Sequence, residues 1–314
     1  MTRPIAETRG AESFFHQRIN ASTIIIRAKI TTLQRRSPYL ATICAMASSG
    51  SRRLIGLSTK MYFSLTRSRD FTSSLISQLG SVPSDALSRI DIFILPDFIA
   101  LPTTVSQLRA SDSPASTIIW PGAQDCHWED QGAFTGQVSA SVLREAGARI
   151  VMVGHAERRR LFGEDDILVA KKAAAVTRNG MVPLVCIGEQ TRAGEDSSDS
   201  GDVSAAAVRQ CAVQVDTVLE TLPATTEVIL AYEPVWAIGA TQPAGVEHIL
   251  SVVEGIRTLE SVRSRSGVTR IVYGGSAGPG LFARLKSGLD GLFLARFGHD
   301  PVQFVRTIRE VAEA

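Results

Sequence analysis

The sequence predicts an α/β fold, a single-domain (β/α)8 barrel, and three observations carry that reading. From Leu54 onward short apolar runs alternate with longer amphipathic stretches, and the runs number eight. Most of them are apolar throughout, the signature of strands buried on both faces of a parallel sheet. The length also fits, since 314 residues accommodate a barrel of about 250 with a segment to spare. A doubly wound open sheet is the alternative. It should carry Gly-x-Gly-x-x-Gly directly after its first strand, whereas here the first run leads into Gly56-Leu57-Ser58-Thr59-Lys60.

In chain order, Leu54–Leu57 is the first strand and Leu65–Leu79 its amphipathic helix. Ile90–Leu95 and Thr117–Trp120 are the second and third strands, rich in Ile, Leu and Phe, and Ser139–Ala146 is the next helix. Arg149–Val153 and Val182–Ile187 flank a helix at Ile167–Asn179. The helix Val203–Leu222 leads to the strand Glu227–Ala231, and Val246–Ser264 leads to Thr269–Tyr273. A helix at Gly280–Ser287 precedes the eighth strand, Leu289–Leu294. The last helix, Pro301–Ala312, opens with Asp300 as N-cap and proline at its first position. Gly194–Asp202, rich in Asp and Ser, reads as a solvated loop.

Composition narrows the function. The chain is 44% hydrophobic and 20% charged, an ordinary globular balance. Its 33 basic and 31 acidic residues leave +2, which argues against a nucleic-acid binder. Residues 1–45 hold the basic excess, and no acid occurs between Glu12 and Asp70. Residues 1–50 are therefore expected to be a basic, disordered extension before a barrel-sized domain at 51–314. The extension reads as a segment without function, as an organelle transit peptide, or as sequence ahead of a true start at Met46. No run approaches the ~18–20 apolar residues that span a bilayer, so no membrane partner is expected. Four dispersed cysteines, Cys44, Cys126, Cys186 and Cys211, show no metal spacing, which fits free thiols in a reducing, cytoplasmic compartment.

In a barrel, chemistry gathers where strands end at the C-terminal face. The first strand ends at Lys60, the fourth at Gly154-His155, the sixth at Glu233 and the seventh at Gly274-Gly275-Ser276. A lone lysine is usually a solvated charge, a lone histidine a structural residue and Gly-Gly-Ser a turn. Four strand ends of one barrel converging on one mouth outweigh those readings. Glu233 is a candidate general base, His155 a hydrogen-bond donor to a carbonyl gaining negative charge, and Lys60 a cation for an anionic substrate. Backbone N–H groups at Gly275, Ser276 and the start of the following helix can hold a phosphate. A base, an electrophile and a phosphate site, with no metal ligands and no cofactor motif, point to proton abstraction next to a carbonyl of a sugar phosphate. The remaining histidines, His16, His127, His248 and His299, are expected to do no chemistry, with His127 beside Trp128 the one worth checking.

From about Leu54 to its end the chain resembles the triosephosphate isomerase family. Val153-Gly154-His155-Ala156-Glu157-Arg158-Arg159 is similar to the family's catalytic-histidine segment, with Ala156 where serine is usual. Ala231-Tyr232-Glu233-Pro234-Val235-Trp236-Ala237-Ile238-Gly239 is similar to its catalytic-glutamate segment and lid, and Tyr273-Gly274-Gly275-Ser276 to its phosphate loop. Gly122-Ala123-Gln124, Gly132-Ala133-Phe134-Thr135-Gly136 and Cys186-Ile187-Gly188-Glu189 fit as well. The resemblance implies a TIM barrel and interconversion of glyceraldehyde 3-phosphate and dihydroxyacetone phosphate without a cofactor or metal. The family is itself a standard example of a glutamate base working with a neutral histidine beneath a water-excluding lid. It implies catalytic Glu233, His155 and Lys60, with Glu157 paired to Lys60 and Gly239 at the substrate. It also implies a homodimer through Gly132–Gly136.

The departures from the family cluster around the substrate. Ser58 stands where an asparagine is usual, Ala295 and Arg296 replace two glycines that face the phosphate, and Ala240-Thr241-Gln242 replaces the lid's Thr-Gly-Lys hinge. Glycine permits close backbone approach, so Ala295 and Arg296 either shift the anion or add a guanidinium to it. Serine before the lysine, Cys126-His127-Trp128-Glu129-Asp130-Gln131-Gly132, and Asp290-Gly291-Leu292-Phe293-Leu294 before Arg296 resemble the branch that isomerises erythrulose phosphates. Triose phosphate is the leading expectation and a four-carbon ketose phosphate the alternative. A silent barrel serving as a binding or scaffold protein is the third reading.

Overall fold

The computed structural model describes residues 52–191, 203–239 and 243–314. The extension over 1–50, the loop Gly194–Asp202 and the hinge Ala240-Thr241-Gln242 lie outside the described residues. Apolar runs buried on both faces need partners on both edges and cover on both sides, and the chain supplies these by closing a barrel. Its elements run β1 (Arg53–Ser58), α1 (Leu65–Leu79), α2 (Ser84–Leu87), β2 (Ile90–Leu95), α3 (Leu101–Ala110), β3 (Ile119–Ala123), α4 (Ala140–Glu145) and β4 (Ile150–Val153). There follow α5 (Ala156–Phe162), α6 (Asp166–Arg178), β5 (Val182–Ile187), α7 (Val203–Leu219), β6 (Val228–Tyr232), α8 (Val246–Thr258) and α9 (Glu260–Arg263). The chain ends with β7 (Thr269–Tyr273), α10 (Phe282–Leu285), β8 (Gly291–Leu294) and α11 (Pro301–Glu313). The strands form a closed barrel in sequence order. Every neighbouring pair is parallel, and β8 closes on β1 with Leu54 opposite Gly291 and Leu57 opposite Leu294.

Alternation along each strand sorts the core into two parts. Leu54, Phe93, Leu95, Trp120, Met152, Leu184 and Phe293 fill the barrel lumen. Ile55, Leu57, Ile92 and Ile94 point outward and pack under the helices. Gly56 is a packing necessity in this arrangement, since a Cβ there would stand 2.3 Å from the Phe93 ring. At the strands' N-terminal end the lumen is plugged by charge. Buried Arg270 bonds Asp91 at 2.7 Å, pairs with Glu227, and lies over the Trp120 ring. Side-chain oxygens of Ser64, Ser139, Asp165 and Asp300 cap α1, α4, α6 and α11, so these helices start where the sequence offers an acceptor.

Eight strands appear where eight are expected. Ile90–Leu95, Val182–Ile187, Thr269–Tyr273 and the helix Leu65–Leu79 coincide with their expected bounds. Three corrections concern helices. α3 was not expected because Leu101-Pro102-Thr103-Thr104-Val105 is proline-bearing and β-branched, yet proline in a first turn removes no helical bond. α5 has no buried residue and so carries no apolar face to read. The expected helix Val246–Ser264 breaks at Leu259, whose backbone is extended although no glycine or proline marks it. Among the described residues no helix is long and apolar enough to cross a membrane.

Candidate active site

The sequence candidates meet at the C-terminal ends of the strands. Ser58, Lys60, His155, Glu233, Gly239, Gly275, Ser276, Ala295 and Arg296 all line one cavity of about 300 Å³. Glu157 is the one candidate outside that lining, and it reaches the site through Lys60.

Lys60 follows β1 in a left-handed backbone conformation, φ 46°, the one non-glycine residue among those described with positive φ. That conformation is costly for a side-chain-bearing residue, and its neighbours over-determine it. The Lys60 N–H donates to Ser58 Oγ at 3.1 Å. Gln124 Nε2 donates to Lys60 O and Leu95 O, both at 3.0 Å, and to Thr59 Oγ1 at 3.2 Å. The Lys60 ammonium donates to Glu157 Oε1 at 2.7 Å. Burial pushes the Glu157 carboxyl up, but the hydrogen bond and charge of Lys60 outweigh it, so the group sits below the usual range.

His155 follows β4 after Gly154, whose φ of 70° turns the chain into α5. A Cβ at Gly154 would also meet the Val169 methyls at 2.7 Å. His155 caps α5 with its own ring, Nδ1 accepting the Glu157 N–H at 3.1 Å. The ring is buried. Desolvation, reinforced by the charge of Lys60 and opposed by Glu157, pushes its pKa down to about 4. With Nδ1 an acceptor and the ring neutral, the proton resides on Nε2. That N–H faces the cavity.

Glu233 follows β6. Its N–H donates to Ile187 O at 2.8 Å, and a Cβ at Gly188 or Gly274 would collide with Glu233 itself. Its carboxyl is buried, and Oε2 has no hydrogen-bond partner. Desolvation, with help from Glu157 and against Lys60, raises its pKa to about 8. His155 Nε2 stands 3.6 Å from Glu233 Oε2. A carboxyl driven up, an imidazole driven down and a lysine at one cavity can take a proton from carbon and stabilise the resulting oxyanion.

The far wall of the cavity is glycine-rich and cationic. Gly275 admits Tyr273, whose hydroxyl would stand 2.1 Å from a Cβ there, and that hydroxyl accepts the Ala244 N–H at 3.3 Å. The helix expected over Gly280–Ser287 is present in a shorter form, Phe282–Leu285. α10 starts only at Phe282, so the Gly275 and Ser276 amides belong to a bend. After β8 a single 3₁₀ turn, Arg296–His299, places Ala295 and exposed Arg296 in the lining.

Sequence reasoning missed several contributors. Phe293 and Phe297 give the cavity apolar surface. Gln124 clamps the Lys60 turn, and its place in Gly122-Ala123-Gln124 was the signal. Glu189 gathers Tyr232 Oη at 3.2 Å, Trp236 Nε1 at 2.9 Å and His248 Nε2 at 3.0 Å on one oxygen, which anchors the turn after Glu233. Among the described residues no group of three His, Cys, Asp or Glu is placed to hold a metal ion.

A family model described as triosephosphate isomerase matches residues 53–311. An L-erythrulose-1-phosphate isomerase of Pectobacterium atrosepticum is 41% identical over 260 residues, covering 81% of this chain and 94% of its own. One from Mesorhizobium japonicum is 39% identical, covering 77% and 90%. A triosephosphate isomerase of Moorella thermoacetica is 34% identical, covering 82% and 98%.

Proposed function

We propose that this isomerase, which belongs to the triosephosphate isomerase family, moves the carbonyl of a small sugar phosphate to the neighbouring hydroxyl-bearing carbon through an enediolate, ketose to aldose for a triose and ketose to ketose for erythrulose 1-phosphate. The observation that carries the reading is the buried Glu233 carboxyl, whose Oε2 has no hydrogen-bond partner and stands 3.6 Å from His155 Nε2. In its ionised form Glu233 takes a proton from the carbon beside the carbonyl. The C–H electron pair becomes the enediolate double bond, and the carbonyl oxygen takes up the charge. His155 Nε2–H and the Lys60 ammonium stabilise that oxygen. His155 Nε2 gives its proton to that oxygen and takes the one that the neighbouring hydroxyl loses as it becomes the new carbonyl, and Glu233 returns its proton to the former carbonyl carbon, so the atoms balance. Lys60, Arg296 and the Gly275 and Ser276 amides hold the phosphate.

The substrate we assign is a four-carbon ketose phosphate of the erythrulose type, ahead of the triose phosphates that the sequence first suggests. Ser58 is short, and its oxygen is engaged by the Lys60 N–H, which leaves volume where a longer amide would stand. Arg296 enters the lining where a glycine pair gives only backbone. The relative at 41% identity carries the name of the four-carbon enzyme. Triose phosphate is the second reading, favoured by the fact that Lys60, His155 and Glu233 serve either chain length equally. A purified-protein assay of kcat/KM with erythrulose 1-phosphate against dihydroxyacetone phosphate decides between them. A preference of about tenfold or more for four carbons is expected, the scale of one methylene-sized group. A preference for triose reverses the assignment.

Two copies of the chain are proposed to associate through Gly132–Gly136. Phe134 is exposed in that loop, and Met61, next to Lys60, is 97% exposed, an unusual state for a large apolar side chain. Light scattering on the purified protein should give twice the chain mass, and a monomer would refute it.

A further inference from the structure

The seam between β1 and β8 ends at Leu57 opposite Leu294. Beyond it the two chains diverge into Lys60 on one side and Ala295 and Arg296 on the other, the two sources of positive charge at the cavity. One bond crosses that gap. His299, at the end of the turn after β8, donates from Nε2 to the backbone oxygen of Ser58 at 2.9 Å. A carbonyl cannot donate, so the proton is on Nε2. The same Ser58 accepts the Lys60 N–H on its side-chain oxygen, and Ser58 is therefore gripped at both its oxygens. The His299 ring is itself fixed, edge-on to Phe63 with centroids 4.9 Å apart and tilted against Tyr62 at 5.5 Å. Phe63 continues to Phe71 and Phe71 to Phe304 on α11, so the imidazole is anchored in the aromatic layer beneath the helices. Burial and the charges of Arg67, Lys60 and Arg296 push the pKa of His299 down, against the bond to Ser58.

We propose that His299 is a positioning residue: its bond to Ser58 adds one rung to the finished β1–β8 seam and fixes Lys60 relative to Arg296, so that both cations face one anion. His299 touches no reacting atom. It acts through the backbone of Ser58 on the left-handed turn at Lys60, a conformation that persists only while its surroundings hold it. The expected consequence is on anion binding, with proton transfer by Glu233 little altered.

The inference rests on the reading of Lys60 and Arg296 as the anion-binding cations. It is tested on the full chain by calorimetric titration with inorganic phosphate, alongside KM and kcat for the sugar phosphate. His299→Leu removes the donor and keeps the bulk, while His299→Gln places an amide N–H close to the position of Nε2. For His299→Leu we expect phosphate affinity about tenfold weaker and KM about tenfold higher with kcat within about threefold, and for His299→Gln recovery of both to within about threefold of wild type. If His299→Leu does not fold, His299→Asn, whose shorter amide cannot reach Ser58, takes its place with the same expected loss. Wild-type phosphate affinity in the donorless variant overturns the proposal, and so does a His299→Gln protein as impaired as His299→Leu. A wild-type protein that binds no phosphate overturns the reading of the anion site as well, and the two failures are thereby told apart.

Discussion

His155 Nε2 stands 3.6 Å from Glu233 Oε2, and burial moves the two groups in opposite directions, the imidazole down to about 4 and the carboxyl up to about 8. At neutral pH both are predominantly uncharged. The barrel lumen thus tolerates a carboxyl with a partnerless oxygen, because desolvation penalises only its charged form. As the proposed base, Glu233 becomes competent only by losing that proton.

One expected consequence concerns pH and turnover. kcat/KM reports ionisation of the free protein, so it should climb with pH and level off near 8, the value set by Glu233. The substrate phosphate titrates near 6, and the slope between about 6.5 and 8 accordingly belongs to the protein. A profile flat across that interval would show that Glu233 is ionised well below 8.

Neighbouring charges should move that limb in opposite senses. Glu157 raises the Glu233 pKa and Lys60 lowers it. Glu157→Gln is expected to shift the limb to lower pH and Lys60→Met to higher pH. Carbon-13 titration of the Glu233 carboxyl follows both variants even where turnover is slight. Shifts of the same sign in the two would remove Coulombic coupling as the cause.

Stability should carry the same signature. The folded-state pKa of Glu233 lies above its ordinary 4.5, so the native state keeps a proton that the unfolded chain releases. The resulting stabilisation is complete below about 4.5 and is lost as pH rises through 8. Glu233→Gln never ionises and escapes the loss. Its Tm advantage over wild type should therefore be larger at pH 9 than at pH 5, by about 5 °C or more for a chain of this size. Equal differences at the two pH values would mean that the carboxyl is not desolvated.

Packing in the lumen gives a test away from the chemistry. A methyl at position 56 would stand 2.3 Å from the Phe93 ring. Gly56→Ala is thus expected to cost about 1–3 kcal/mol through forced repacking, read as a lower denaturation midpoint. An unchanged midpoint would show that Phe93 moves freely.

What the sequence made legible was whatever depends on residue type along one element. The runs Ile90–Leu95 and Val182–Ile187 announce buried strands because a parallel sheet leaves no wet face, and Lys60, His155 and Glu233 announce themselves as polar residues where such runs end. What stayed hidden depends on register or on the absence of a buried face. α5 shows no periodicity because it buries no residue. The bonds of Gln124 and His299 go to backbone oxygens of Leu95, Lys60 and Ser58, which any residue would present, so nothing at the accepting positions marks them. The partial burial of His299 comes from Tyr62 and Phe63, on a different strand end. A histidine without a partner nearby in sequence reads as inert until the barrel closes.

In the proposed mechanism Glu233 removes a proton from carbon. Proton NMR of erythrulose 1-phosphate and of dihydroxyacetone phosphate, each incubated with the protein in D2O, observes that step directly. Deuterium should enter at the carbon beside the carbonyl, faster for the four-carbon compound, and Glu233→Gln should slow entry by about 10² or more while remaining folded. Absence of exchange with both compounds, or exchange unaltered in Glu233→Gln, would contradict that mechanism.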